Sequence, residues 1–242
     1  MITSKDNEKL KTVRKLRSRQ SREKLGLFIT EGEDLLTAGL DSGAVPEFIL
    51  VAAGSGIDGE PVAPELLDSV SLLGSGTRVI AAWTPRWASR LGDVCVFLDG
   101  LADPGNTGTI IRTVDALLEA TVVLGPETAD PFSPAAVRAS MGSIFTQSLV
   151  RADLGETPEP RFALVASGGV DHRVLPDSMT LCLGSERGGL SSDALNQCQE
   201  QWTIAMREGG PESLNVGAAA AIACERVRDG GKTVPVSGSP DE

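Results

Sequence analysis

Three short segments in the second half of the chain carry polar and glycine residues at spacings that chemistry can use. The first is Asp103-Pro104-Gly105-Asn106-Thr107-Gly108-Thr109-Ile110-Ile111-Arg112-Thr113. Here an apolar run feeds a Gly/Pro loop, and the loop feeds a helix expected over Gly108 to Ala120. Asn106 offers both donor and acceptor at the loop tip. Arg112 sits four residues past Gly108, about one turn into that helix, where it can reach back toward an anion or a hydroxyl. The second is Leu183-Gly184-Ser185-Glu186-Arg187-Gly188-Gly189-Leu190-Ser191. Its glycines let a ligand approach backbone N–H and C=O groups closely, and Glu186 is the acid inside the turn. The third runs from Ile204 through Met206, Ser213, Leu214 and Asn215 to Ala220. A Gly/Pro loop enters a helix, with Ser213 expected near its N-cap and Asn215 in its first turn. Each segment also has a plain structural reading: a capped helix with a surface arginine, a tight turn, a serine cap.

Other chemistries find less support. His172 is the single histidine and lies in a polar stretch, Gly168 to Arg173, where a solvated loop side chain is expected. The four cysteines, Cys95, Cys182, Cys198 and Cys224, include no C-x-x-C pair. Three lie in apolar stretches and read as small buried hydrophobes of a reducing compartment. One histidine and scattered cysteines argue against zinc, and no metal site is expected. The absence of tyrosine removes a tyrosine general acid. Gly54-Ser55-Gly56-Ile57-Asp58-Gly59 matches G-x-G-x-x-G, but Pro61 and Pro64 follow where a dinucleotide site needs a helix. A surface turn is the better reading, and a nucleotide-dependent oxidoreductase is set aside.

The elements that must position these residues alternate along the chain. An amphipathic helix is expected over Ser4 to Leu25, with Leu10, Val13 and Leu16 on one face. Strands follow at Leu27–Thr30, Phe48–Val51 and Arg78–Ala82, with helices after Gly32 and Pro64. Val94 to Leu98 is a continuous apolar run, suited to a parallel strand buried on both faces. Further strands are expected at Thr121–Leu124, Phe162–Ala166, Leu181–Leu183 and Trp202–Met206, with a helix or turn from Ser133 to Met141 and a helix from Asn215 to Val227. Strand–helix alternation predicts an α/β fold with a mostly parallel sheet.

The chain has 242 residues, 41% hydrophobic and 23% charged, which suits a globular protein with a sizeable core. No apolar run approaches the ~18 residues of a membrane helix. The first residues lack the apolar segment of a signal peptide. A soluble, cytoplasmic protein with no membrane partner is therefore expected. The net charge of −11 is unevenly spread: residues 1–25 carry +6 and the remainder −17. A basic arm on an acidic body can touch phosphates, with Lys11, Arg14, Arg17, Arg19 and Arg22 as its candidate RNA contacts, or be only a solvated helix face or a frayed terminus.

Taken in order, the three segments resemble the SpoU/TrmH family of RNA ribose 2′-O-methyltransferases, within the knotted SPOUT superfamily. The first motif is matched by Asn106, Gly108 and Arg112. Gly184, Glu186 and Gly188-Gly189-Leu190-Ser191 match the second, and Ser213-Leu214-Asn215-Val216 the third. Arg138-Ala139-Ser140-Met141-Gly142-Ser143 is similar to the family's stretch between the first two. The likeness covers about residues 94–228. Arg22 to Leu36 is similar to the family's small RNA-recognition domain, an α/β sandwich akin to certain RNA-binding ribosomal proteins. Ala205 and Gly217 depart from the pattern, where the family often has Pro and Ser.

The resemblance implies domains over 1–88 (RNA recognition) and 92–230 (a SPOUT methyltransferase domain with a deep trefoil knot), then a disordered tail over 231–242. It implies S-adenosylmethionine as cofactor, held by backbone groups of Gly184, Ile204, Met206 and Leu214. It implies Asn106, Arg112, Glu186, Ser213 and Asn215 as catalytic residues, and a homodimer in which Arg112 serves the partner's cofactor. The substrate would be rRNA or tRNA rather than DNA, because the acceptor is a 2′-OH. An arginine base is disfavoured: at pH 7 a neutral guanidine lies about 7–9 kcal/mol uphill. Orienting the 2′-OH and holding the adjacent phosphate is the easier role. The alternatives are a catalytically silent RNA-binding protein of the same fold and a base methyltransferase.

Overall fold

The structure, a computed structural model, describes residues 1–172 and 175–230. The expected disordered tail over 231–242 lies outside the described residues. In chain order the elements are α1 (Glu8–Lys15), α2 (Arg19–Leu25), β1 (Phe28–Glu31), α3 (Glu33–Asp41), β2 (Phe48–Ala52), β3 (Glu60–Val62), α4 (Pro64–Val70) and β4 (Val79–Trp83). There follow β5 (Val94–Asp99), α5 (Pro104–Leu117), β6 (Thr121–Leu124), α6 (Pro134–Ser140) and β7 (Ser148–Arg151). The last are β8 (Arg161–Leu164), β9 (Met179–Gly184), α7 (Ser192–Gln197), β10 (Glu200–Trp202) and α8 (Val216–Asp229). They divide between two compact units. One comprises Met1–Ser89, Leu101–Arg112 and Glu127–Leu149; the other comprises Arg90–Gly100, Thr113–Pro126 and the chain from Val150 onward.

The first unit is built on a four-stranded sheet in the order β1-β4-β2-β3. β4 runs antiparallel to both β1 and β2, and β3 runs parallel to β2. Leu10, Val13 and Leu16 of the amphipathic N-terminal stretch are fully buried with Leu50, Leu67 and Ile80. The stretch is two helices, where one was expected. Ser18 interrupts it: its backbone is extended and its hydroxyl accepts from the Ser21 N–H, which is N-cap chemistry. The break is stabilised from a distance. Arg22 donates to the carbonyls of Leu16 and Arg17, at 2.8 and 3.0 Å, and so covers acceptors that the interruption frees.

An aromatic group sits beneath the same sheet. Phe28 packs on Phe132 and Phe145, and Trp83 meets Phe145 edge-on at 4.8 Å between ring centroids. The Trp83 indole N–H finds its partner in the Thr30 hydroxyl at 2.9 Å. The declined glycine motif is a turn, as its prolines suggested. Gly54 and Gly56 take φ of 85° and 76°, and no helix opens there.

In the second unit β10, β8, β9, β5 and β6 pair in that order and are all parallel, with β7 next to β6 in the sheet order. β5 and β9 are central, and both are buried along nearly their whole length. Asp99 ends β5 directly opposite Gly184 at the end of β9. The last strand is Glu200–Trp202, earlier than the expected Trp202–Met206. Residues 203–215 form a loop. His172 is not the solvated side chain expected. Only 19% of it is exposed, and it packs edge-on against Phe162.

Candidate active site

A cavity of about 350 Å³ opens in the second unit at the carboxyl ends of β8 and β9. That volume lies in the range of roughly 300–1,000 Å³ usual for small-molecule sites. The carboxyl ends of parallel strands are where open α/β sheets place their ligands. Three loops wall it, with Val216 and Ala219 of α8 beside them. Leu164–Ala166 leaves β8, Leu183–Gly189 leaves β9, and the loop after β10 returns with Ile204, Met206 and Glu212–Leu214 before α8 begins.

The β9 piece is shaped by its glycines. After Gly184 the chain turns back on itself, with Ser185 and Gly189 exchanging both backbone hydrogen bonds at 2.9 Å. Gly189 takes φ of 66°, a left-handed value that glycine adopts without strain. A Cβ on Gly184 would stand 2.1 Å from the Gly189 carbonyl carbon. The turn is tied to the sheet by Asp99, whose carboxylate accepts from the Ser191 N–H at 2.7 Å. Ser191 in turn caps α7 by accepting from the Ala194 N–H.

α8 starts one residue later than expected. Asn215 is its N-cap, not a first-turn residue: its side-chain oxygen accepts from the N–H groups of Gly217 and Ala218. Asparagine wins this place because its short acceptor reaches orphan helix donors that Ser213, two residues earlier, does not cover. Ser213 and Leu214 are exposed and line the cavity. Thus Gly184, Glu186, Ile204, Met206, Ser213 and Leu214 share one cavity, with Asn215 at its helical edge.

Asn106 and Arg112 belong to α5, whose residues up to Arg112 lie in the first unit. The helix begins at Pro104, four residues before the expected start. Asp103 explains this: its carboxylate accepts from the Asn106 N–H at 2.8 Å, and Pro104 follows at the position proline favours. Asn106 is therefore in the first turn rather than at a loop tip, and Arg112 is two turns in and exposed. Gly108 lets α5 approach α6, because a Cβ there would be 2.2 Å from the Ala136 carbonyl oxygen.

The basic N-terminal residues differ in what they touch. Lys11 pairs with Glu8 and Arg19 with Glu23, both at 2.9 Å across one helical turn. Arg14 donates to the Lys5 carbonyl, and Arg17 to those of Val70 and Ser71. Arg22 corrects the sequence expectation. It is 5% exposed and its guanidinium is paired with Asp130 at 2.7 Å, so it serves the fold and is not offered to RNA.

The family model for SpoU rRNA methylases matches residues 93–225. The chain belongs to that family. A model described as an MRM3-like substrate binding domain matches residues 7–81 of this SpoU methylase. Along 245 aligned residues it is 29% identical to the 23S rRNA (guanosine(2553)-2′-O)-methyltransferase of Bacillus subtilis, spanning 94% of this chain and 98% of that one. An rRNA methyltransferase from Sinorhizobium meliloti, solved with AdoMet bound, superposes with a TM-score of 0.81 at 27% identity, covering 94% of this chain and 96% of that one. The Streptomyces viridochromogenes 23S rRNA (uridine(2479)-2′-O)-methyltransferase is 34% identical over 149 residues, covering 55% of this chain and 52% of that one.

Several lining residues of this SpoU methylase lay outside the sequence candidates. Val165 and Ala166 follow the end of β8, Arg187 lies inside the second motif, and Glu212 precedes Ser213 of the third. The strand-end rule, applied to β8 as well as β9, is the signal that finds the first two. Among the described residues no cluster of three or more histidine, cysteine or acidic side chains is placed to hold a metal ion.

Proposed function

We propose that the chain transfers a methyl group from S-adenosylmethionine to a ribose 2′-OH of RNA, with ribosomal RNA as the leading substrate class. The observation that carries this reading is the cavity at the carboxyl ends of β8 and β9, walled by the second and third motifs. Its chemistry fits the cofactor. Ile204, Met206, Leu214 and Val216 offer an apolar wall, and Ser185 and Ser213 offer hydroxyls. Glu186 and Glu212 put carboxylates at a site that would receive a cationic ligand. The glycine turn exposes backbone donors and acceptors to a planar base and a ribose. The names of the relatives favour the ribose over the base as acceptor.

When bound, the cofactor supplies an electrophilic methyl on a sulfonium. The chain must bring a 2′-OH into line with that methyl and keep it there, so positioning is its main task. Arg112, exposed on α5, would hold the phosphate beside the target ribose and orient the hydroxyl. Asn106, one side of the same helix start, would orient the ribose or Arg112. Glu186 would fix the turn or Arg112, and Ser213 and Asn215 would complete the catalytic face.

The finer features belong to the same proposal. The chain works as a homodimer in which Arg112 serves the partner's cofactor. The turn after β9 and the loop after β10 are parts of a deep trefoil knot. The domain over 1–88 presents Lys11, Arg14, Arg17 and Arg19 to RNA, and the protein acts in the cytoplasm.

Calorimetry with S-adenosylmethionine tests the cofactor site. The wild type is expected to bind at one site per chain, and Leu214→Arg, which fills the cavity, to lose it. A folded wild type that binds none would leave an RNA-binding protein of the same fold as the better account.

A further inference from the structure

The second unit holds a pair of thiols that methyl transfer does not use. Cys182 lies in β9 and is fully buried. Cys198 is the C-cap of α7 and is half-buried. Their sulfurs stand 3.7 Å apart and share a weak hydrogen bond. A disulfide needs about 2.05 Å, so only a small closing movement separates the two states. β9 is paired on both sides, by β8 and β5. Cys198, at a helix end, is the partner free to move.

The charge around the pair favours reaction at Cys198. Arg161 is 7% exposed, and the carbonyls of Gly155, Thr157 and Gln197 hold its guanidinium beside the residue that precedes Cys198. Its carboxylate partner, Glu159, is largely exposed. Asp99 is the opposing negative charge. The hydrogen bond shared with Cys182, with Arg161 also contributing, lowers the Cys198 thiol below its ordinary range, and the same hydrogen bond with burial raises Cys182. Low-pKa cysteines beside a fixed cation and a second thiol are the reactive kind. Cys95 and Cys224 contrast with Cys198: both are buried, and desolvation pushes them up to about 11 and about 12.

We propose that Cys182 and Cys198 are a redox-active dithiol, a modification site whose oxidant is a hydroperoxide. The Cys198 thiolate attacks the terminal peroxide oxygen, the O–O bond breaks, and a sulfenic acid forms as the alkoxide or hydroxide leaves and takes a proton from solvent. The Cys182 sulfur then attacks the sulfenic sulfur. The S–S bond forms, and the hydroxide expelled takes the Cys182 proton as water. Two thiols are oxidised and one peroxide is reduced. The bond would close a loop that contains both the turn Gly184–Gly189, which walls the cavity, and α7. The inference does not depend on the cofactor reading.

The test is disulfide mapping of the folded wild-type protein after exposure to hydrogen peroxide and alkylation. Trypsin cuts after Arg187, between the two cysteines, so the bond joins two separate peptides. The expected result is a link between the Cys182 and Cys198 peptides, reversed by dithiothreitol, with Cys95 and Cys224 alkylated only after unfolding. Cys198→Ser is expected to leave Cys182 reduced under the same exposure. Four free thiols in the exposed wild type would overturn the proposal. So would Cys198 oxidised to a sulfinic acid with Cys182 still free. The wild-type map needs no variant, so a poorly folded Cys198→Ser leaves the test intact.

Discussion

Gly184 and Gly189 press together so closely that a Cβ on Gly184 would stand 2.1 Å from the Gly189 carbonyl carbon and equally near the Leu190 nitrogen. Both obstacles are backbone, so neither yields by rotating a side chain. The contact folds the turn over the end of β9 and sets one wall of the cavity. Gly184→Ala is therefore expected to cost at least the ~1–3 kcal/mol of an overpacked site and to weaken S-adenosylmethionine binding tenfold or more. Calorimetry and thermal melting read the two effects. Gly155→Ala is the control, since its Cβ would meet only the end of the Gln197 side chain at 3.4 Å.

Arg22 and Asp130 form a buried pair, 6% and 8% exposed at the side chain, and Arg22 also covers two helix-end carbonyls. Removing one member leaves the other charge buried alone. Arg22→Ala is expected to destabilise by roughly 3–5 kcal/mol in urea unfolding. A loss below about 1 kcal/mol would show that the pair is not buried in solution.

Lys11, Arg14 and Arg19 are expected to act on RNA through phosphates. Each alanine variant should weaken binding across sequences alike, and should flatten the slope of log affinity against log salt by about 1. Binding titrations at several salt concentrations measure this. An unchanged slope in all three variants would move the RNA surface elsewhere.

Arg112→Ala is expected to keep cofactor affinity and lose transfer by about 10²-fold or more, the scale of removing one preorganised donor. Arg112→Lys should recover little, because a point charge does not reproduce the planar fork. Single-turnover transfer of a labelled methyl, beside calorimetry, separates binding from chemistry.

Thiol labelling of the folded protein should depend on pH residue by residue. Cys198 is lowered, so its thiolate and its labelling should persist to lower pH than in an ordinary cysteine. Cys95 and Cys224, pushed up to about 11 and about 12, should stay protonated and unlabelled through neutral pH. Mass spectrometry of peptides labelled with iodoacetamide across pH 6–9 (roughly the span around the ordinary thiol value) checks both directions.

Much of this was legible in the chain because it is locally encoded. β5 announces itself as an unbroken apolar run, since a strand covered on both faces has no polar side, and the core of β9 does so over Leu181–Leu183. The glycine turn after β9 is equally plain. What was illegible depends on distant partners. Arg22 has the composition of a phosphate contact, and only Asp130, 108 residues away, makes it structural. The interruption at Ser18 rests on the same side chain. The start of α5 was misplaced because Pro104 looked like a breaker, although beside an Asp103 cap it is a helix opener. β3 and β7 are three and four residues long, too short for alternation to register.

The most direct test of methyl transfer is nucleoside mass spectrometry. Unmodified rRNA and tRNA transcripts would be incubated with the protein and S-adenosylmethionine carrying a labelled methyl, then digested. The account predicts labelled 2′-O-methylnucleoside from the wild type and about 10²-fold less, or lower still, from Arg112→Ala. Label on a base, or none on any transcript from a protein that binds the cofactor, would contradict it.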